Sequence, residues 1–527
     1  MSALAGVPLL LRFALRRERI RIPVYIALFT VIVAQNAAGS EQLYTTQAER
    51  AEYAATVAGN PGLIAMVGPP YALTSVGGDV AWQMGGFGAA IVALMSVFIV
   101  GRHTRAEEQS GRSELVGAAP VGRFAPLAVA LIVVAAAQVL LGAAVTLTML
   151  GFDQPTAGSL ALGVSLTGAG LVFAGVAAVA AQVAQTTSAM SGIAGGALGA
   201  AYALRAAGDV GDGTLSWLSP IGWAQAMRPY AGERWWPLAL SLGAAAALMA
   251  AGVALRARRD DGEGLVAPRP GPATASPRLT TPLGLALRLQ RGALLGWSAG
   301  LFFSGLSIGL TGRDAESLIG DGGEISDILG SSAGDLVDQY FAVSMLTMAL
   351  IGTGFGVQAA LRMRAEETSG RLEPLLATAL SRRAWTAAYV AVAMAGSALV
   401  LAANGLGAGL ADAINSDDAG QLPRLLAAAV VPTPAVWVVV AAAVALFGLV
   451  PRAAVAAWGV LGACVLVSVL GPLLGLPDWV LELSPFEHVP QLPADDFRSG
   501  PLLALCAVAA ALTAVGMLAF RRRDLVP

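Results

Sequence analysis

The sequence predicts an all-α polytopic membrane protein, with twelve transmembrane helices arranged as two six-helix repeats. Three observations lead there. Of 527 residues, 56% are hydrophobic and 13% charged, with a mean hydropathy of +0.69, which is more apolar than soluble domains run. The apolar residues fall in long runs of about the twenty residues a bilayer requires. A charged ten-residue stretch between two such runs occurs twice: Arg105-Ala-Glu-Glu-Gln-Ser-Gly-Arg-Ser-Glu114 returns 259 positions later as Arg364-Ala-Glu-Glu-Thr-Ser-Gly-Arg-Leu-Glu373.

Residues 9–22 mix Leu9, Leu10, Leu11, Phe13, Leu15 and Ile20 with Arg12, Arg16, Arg17, Arg19 and Arg21, the pattern of an amphipathic helix lying on a membrane surface. No small-residue cleavage site closes the apolar run, so a cleaved signal peptide is not expected. The first span is placed at 22–40, a polar outer segment at 41–79, and the second span at 80–101, delivering the first charged stretch. Spans three and four follow at 124–151 and 159–183, joined by a short loop holding Asp153. A polar turn, Gln185-Thr-Thr-Ser188, leads into span five at 189–204. Its Gly192, Gly195, Gly196 and Gly199 have the small-xxx-small spacing that lets helix backbones approach closely in lipid. An outer segment with Leu218-Ser-Pro-Ile-Gly-Trp223 precedes span six at 236–255, which ends in Arg256, Arg258 and Arg259.

Residues 260–282 are rich in Pro, Gly and Ala without helical period, a linker between a first half, 1–259, and a second half, 283–527. In the second half a surface helix with Arg288 and Arg291 leads into span seven at 292–311. An acidic outer segment at 312–338, span eight at 339–361 and the second charged stretch come next. Spans nine to twelve are placed at 384–410, 425–450, 453–470 and 501–520. Leu483-Ser-Pro-Phe486 repeats Leu218-Ser-Pro-Ile221. Gly252-Val-Ala-Leu-Arg-Ala-Arg-Arg-Asp260 likewise matches Gly516-Met-Leu-Ala-Phe-Arg-Arg-Arg-Asp524. Matched pairs at offsets of 259 to 265 mark an internal duplication.

Charge sets the orientation. With both termini inside, the inner segments carry 25 arginines and 11 acids, and the outer segments 7 arginines and 23 acids. Arginine excess belongs on the cytoplasmic side. All 32 basic residues are arginine, so the lysine that a Walker A phosphate loop requires is missing and the chain holds no standard ATP site. Cys464 and Cys506 lie in apolar runs and imply neither a disulfide framework nor a thiolate metal site. His103 and His488 are too few for a metal cluster, and His103 reads as an interface residue.

The predicted span interiors contain no Asp, Glu, Arg or His, whereas proton-driven transporters place ionisable groups at mid-membrane depth. Their polar groups are neutral: Asn36, Gln138, Gln182, Gln358 and Asn404 read as interhelical hydrogen bonds. The energy for any transport therefore comes from elsewhere, which returns attention to the repeated stretch. On a helix, Glu108→Arg112 and Glu367→Arg371 are i,i+4 pairs worth about 0.2–0.5 kcal/mol each, too little to account for the identity. Gly111 and Gly370 point to a bend or a close backbone approach. Thr104 and Glu107 have the spacing of a capping box, which the second copy, with Met363, lacks.

Glu-Glu-x-Ser-Gly-Arg-x-Glu after the second span of a six-span unit resembles the cytoplasmic coupling segment of type-2 ABC exporter permeases. The Leu-Ser-Pro element before the last span of each half is similar to that family's extracellular re-entrant region. The whole chain most resembles the fused twelve-span actinobacterial form, the polyketide-antibiotic and multidrug exporter permeases. The resemblance implies cytoplasmic amphipathic and coupling helices, and an ABC exporter of hydrophobic or amphipathic small molecules in the bacterial cytoplasmic membrane. It implies two copies of a separate Walker-type ABC ATPase, with ATP and Mg on that partner and no cofactor, metal or nucleic acid on this chain. Docking would use Glu107, Glu108, Gly111, Arg112 and Glu114 on one half and Glu366, Glu367, Gly370, Arg371 and Glu373 on the other. Closure of the ATPases would tilt the halves and open a cavity between spans one, two and five and spans seven, eight and eleven. Thr368, Leu372 and Pro374 replace Gln109, Ser113 and Leu115, so the two docking sites are expected to be unequal.

Two other classes stand beside this reading. A polytopic membrane enzyme, such as a lipid-linked glycosyltransferase, would need carboxylates on an outer loop. Glu41, Glu49 and Glu52 are the candidates, at the spacing of a solvated helix. A sensory permease that signals without transporting is the other, and substrate-stimulated ATPase activity in the complex would exclude it.

Overall fold

A computed structural model describes residues 2–44, 46–267, 271, 273–312, 333–470 and 477–525. Most of the predicted acidic outer segment (312–338) lies outside the described residues, as do 268–270 and 272 of the linker and 471–476. Every regular element among the described residues is helical, and eleven helices are long and apolar enough to cross a membrane. The predicted fifth span is a 24-residue helix, Thr187–Val210, but glycine, serine and threonine dilute its hydropathy and it is not among the eleven. By contacts the chain divides into two units, Met1–Gly271 and Pro272–Pro527.

In the first unit an arginine-rich helix, Val7–Glu18, turns into the span Arg21–Leu43. The unit is built around Thr156–Val183, which packs on Ala89–His103, Ala125–Gly151, Thr187–Val210 and Trp236–Arg256. Close approach explains one pair of glycines: a Cβ on Gly163 would lie 2.3 Å from the Gly142 carbonyl oxygen, and one on Gly142 2.6 Å from that of Gly163. The glycines of the predicted fifth span behave differently. Among the described residues of the first unit, no atom outside the helix's own backbone lies within 4 Å of where a Cβ would stand at Gly192, Gly195, Gly196 and Gly199, so these glycines make no close helix approach inside their own unit.

The second predicted span is also not one uniform helix. Val76–Gln83 passes through a π-helical turn, Met84–Gly88, into Ala89–His103. Above it, Thr46 and Glu49 form a capping box that starts Gln47–Ala58 (Thr46 N to Glu49 Oε2 3.0 Å, Glu49 N to Thr46 Oγ1 3.2 Å). The carbonyls of residues 66–68 lie at and just past the end of a short helix, Pro61–Met66. Side chains from three helices meet them, as buried carbonyls require. Tyr202 Oη and Arg205 Nη2 donate to the Met66 carbonyl, Gln225 Nε2 to Val67 and Trp82 Nε1 to Gly68. Burial, and then the carboxylate of Asp79 facing it, raises the pKa of the Tyr53 phenol at this end.

The second unit pairs Pro282–Thr311 with Arg382–Ser416, and Thr433–Leu449 with Ser499–Arg522. Glycines again sit at the crossings: a Cβ on Gly305 would meet the Asn404 carbonyl oxygen at 2.0 Å, and one on Gly448 the Gly516 carbonyl oxygen at 2.1 Å. Pro282–Thr311 is a single 30-residue helix, so the separate surface helix expected around Arg288 and Arg291 is not formed. No turn interrupts it, whereas the first unit breaks its chain between Glu18 and Arg21. Near Pro432 the predicted tenth span divides into Gln421–Val430 and Thr433–Leu449.

Asp79, Arg205 and Asp412 are buried at 2%, 0% and 1% exposure. They sit just beyond the predicted span limits, because these helices run further than hydropathy alone marks. The two Leu-Ser-Pro elements share one local use. Ser219 Oγ accepts from the backbone N–H of Ile221 and Ser484 Oγ from that of Phe486, each starting a short helix with proline in its first turn.

Candidate coupling site

The two charged stretches emerge differently from their spans. In the first unit Ala89–His103 stops at Thr104, whose Oγ1 donates to the Val100 carbonyl at 2.6 Å. The predicted capping box with Glu107 therefore does not form. A short helix, Arg105–Gln109, follows, and the Gln109 side chain accepts from Thr187 N (3.1 Å) and Oγ1 (2.6 Å). In the second unit Ala333–Thr368 continues through Arg364, Glu366 and Glu367 without a break.

Both stretches then turn at the same glycine. Gly111 has φ +73° and Gly370 φ +69°, the left-handed conformation that costs a side-chain-bearing residue about 1–2 kcal/mol. Short helices, Arg112–Gly117 and Leu372–Leu376, follow. This turn corrects the predicted i,i+4 pairing. The helix does not run through the glycine, so Arg371 Nε meets Glu366 Oε2 at 2.8 Å and Arg112 Nη1 comes within 3.7 Å of Glu107 Oε1. Each pair is one residue longer than the helical spacing predicts.

Glu108 and Glu367 are occupied elsewhere, and in the same way. Glu108 Oε1 and Oε2 lie 2.5 and 3.1 Å from Arg259 Nη2 and Nη1, while Arg105 Nη1 reaches Oε2 at 2.8 Å. Glu367 takes a two-pronged bond from Arg523, at 2.6 and 2.7 Å. A second arginine clamps the carbonyl of each: Arg123 Nη2 donates to Arg259 O at 2.8 Å, and Arg382 Nη1 to Arg523 O at 2.6 Å. Each unit therefore fastens its charged stretch to the end of its last span and the start of its third. Such forked arginine–carboxylate pairs fix orientation as well as attraction.

Glu366 and Glu367 are 3% and 4% exposed, and Glu107 is bound by Arg17 of the N-terminal helix at 2.6 Å. What remains at the surface is the tip: Arg112, Glu114 and Leu115 in the first unit, Arg371 and Glu373 in the second. Of the ten residues predicted as a docking site, Glu108 and Glu367 form the internal fastening, Glu366 is held by Arg362 and Arg371, and Arg112, Glu114, Arg371 and Glu373 face outward. Arg17, Arg123, Arg259, Arg382 and Arg523 were not predicted. The matched endings at Arg259-Asp260 and Arg523-Asp524 carried the signal, as a repeat without an assigned partner.

A family profile described as "Multidrug efflux system permease Rv1217c, C-terminal domain" matches residues 279–521. The multidrug efflux system permease protein Rv1217c of Mycobacterium tuberculosis is 43% identical over 527 residues, covering 99% of this chain and 96% of that protein. The chain belongs to the Rv1217c family of multidrug efflux permeases. In this efflux permease the repeated stretch of each unit is thus part framework and part exposed tip. Among the described residues no group of three or more His, Cys, Asp or Glu is placed to hold a metal ion.

Proposed function

We propose that this permease is the membrane-spanning subunit of an ATP-driven ABC exporter of hydrophobic or amphipathic small molecules, such as antibiotics, drugs and lipid-like compounds. Residues 1–259 and 283–527 serve as two duplicated six-span halves joined by the 260–282 linker, with Thr187–Val210 as a twelfth span. In this reading the chain lies in the bacterial cytoplasmic membrane with both termini in the cytoplasm, an orientation that the arginine excess of the inner segments supports. Two copies of a Walker-type ATPase, carrying ATP and Mg, supply the energy.

One observation carries this reading. Two units use the same arginine–glutamate fastening to hold the same exposed, glycine-turned tip. A tip held from behind by a buried ion pair transmits a push to the spans it is tied to, because neither end of the connection is slack. Arg112 and Glu114 engage one ATPase subunit, and Arg371 and Glu373 the other. Glu107, Glu108, Glu366 and Glu367 transmit the motion.

The test is a pull-down of the tagged permease from its native membrane with ATPase activity assayed on the eluate. Charge reversal at the tips, Glu114→Arg with Glu373→Arg, is expected to release the ATPase while the permease still folds. Alanine at Glu107, Glu108, Glu366 and Glu367 is expected to leave an ATPase bound whose activity no longer responds to transported compounds. A permease that elutes alone, in cells where the tip variant still supports efflux, would reject the ABC reading.

A further inference from the structure

The first unit holds a cavity of about 410 Å³ beside its fastening, within the size range of small-ligand sites. Leu10, Phe13 and Leu127 supply apolar wall, and Arg123, Arg256 and Arg259 supply guanidinium. Three of the four acids on its lining are engaged, Glu107 by Arg17, Glu108 by Arg259 and Asp261 by Arg256, and the fourth, Asp260, is exposed to solvent. Arg256 is 7% exposed, and its Nη1 is buried without a hydrogen-bond partner. An unmet donor on a buried cation is costly, and an anionic oxygen is the group that satisfies it.

The second unit shows what a closed version looks like, and the fastening sets the register. Three residues after Arg123 stands Pro126; three after Arg382 stands Trp385. Three residues before Arg259 stands Arg256; three before Arg523 stands Phe520. Pro126 and Arg256 line the cavity. Trp385 and Phe520 are each 1% exposed, with ring centroids 5.6 Å apart, and Arg523 lies 5.0 Å from the Phe520 ring. The second unit fills with two aromatic rings the positions where the first has a proline and a charge.

The occupant follows from the neighbourhood. The Val7–Glu18 helix contributes Leu10, Phe13 and Arg17 to the cavity and exposes Leu9 and Phe13 at 72% and 58%. An arginine-rich amphipathic helix with exposed apolar residues lies in the headgroup region of a bilayer. The nearest plentiful anion with an apolar body is then a phospholipid.

We propose that this cavity binds one anionic phospholipid, its phosphate on Arg256 and its chain along Phe13 and Leu127, in the first unit and not the second. The proposal does not depend on how transport is driven. The full-length permease, purified in detergent, is tested by native mass spectrometry with dioleoyl phosphatidylglycerol and dioleoyl phosphatidylcholine. Thermal unfolding is followed with each lipid and with inorganic phosphate alone.

One phosphatidylglycerol per chain is expected to be retained in preference to phosphatidylcholine. Arg256→Gln is expected to weaken that binding about tenfold, and Pro126→Trp to abolish it by filling the space. Arg258→Gln, exposed on the same helix end and outside the cavity, is expected to bind as the parent does. Equal retention of the two lipids, or unchanged binding in both cavity variants, overturns the proposal. Stabilisation by inorganic phosphate equal to that by the lipid assigns the site to free phosphate and overturns the lipid. If Arg256→Gln does not fold, Pro126→Trp decides, since it leaves every charge in place.

Discussion

Both units tie a charged stretch to their last span, but they support that tie with different materials. In the first, Glu108 faces two arginines, Arg105 and Arg259, whose side chains are 0% and 2% exposed. Arg259 is held further by Gln182 and by the carbonyls of Asp260 and Glu263. In the second, Glu367 takes the fork of Arg523, whose guanidinium lies 5.0 Å from both Phe447 and Phe520. One tie is embedded in polar groups beside a cavity, the other in a cluster of tilted aromatic rings. The same carboxylate–arginine geometry tolerates either, because what it requires is exclusion of water and a planar donor, not one particular surrounding.

The comparison breaks most readily at the carboxylates. Glu108→Ala strands two buried cations and is expected to cost about 3–5 kcal/mol, read as a fall in the unfolding midpoint of the purified permease. Glu367→Ala strands Arg523, which is less deeply buried, and is expected to fall at the lower end of that range. The reverse order would mean that the aromatic surroundings, and not the burial of the cations, set the cost.

Trp385→Ala sharpens the contrast in packing. Emptying a tryptophan's volume from the aromatic cluster is expected to cost about 3–5 kcal/mol. Pro126→Ala, at the corresponding place on the open cavity, should stay within about 1 kcal/mol. Parity between the two would show that the second unit's cluster is loosely packed.

Smaller effects are expected at the turns and tips. Gly111→Ala and Gly370→Ala should each cost about 1 kcal/mol, since both need a left-handed backbone. Neither meets a neighbouring atom, so matching losses would isolate the backbone effect. Glu114→Ala and Glu373→Ala should change stability by no more than about 0.5 kcal/mol. Any loss of ATPase binding in these two would then report contact and not folding.

Much of this was legible in the residues. Apolar run length placed most spans to within a few residues, and the repeated stretch marked where each unit would concentrate charge. What could not be read was partner choice. Glu108 and Glu367 meet arginines 151 and 156 positions away, and helical spacing offered Arg112 and Arg371 instead. The left-handed turn at the glycines removed that option. The glycines at 192–199 make no close approach within their own unit. Their spacing matches a helix contact, while the contacts occur at Gly142, Gly163, Gly305 and Gly448, where the facing backbone and not the local motif decides. The size difference between Pro126 and Trp385 was visible as letters, but only the shared fastening shows that they hold equivalent places.

Every cation in these ties is an arginine, and the chain has no lysine at all. A guanidinium keeps its proton through any pH a cell experiences. It is also not a target of the acyl-transfer reactions that erase the charge of an ε-amine. The ties therefore have no chemical off-switch of that kind. Whatever loosens them in a working cycle has to be force or a competing ligand, and amine-directed reagents will leave both ends of each tie unlabelled.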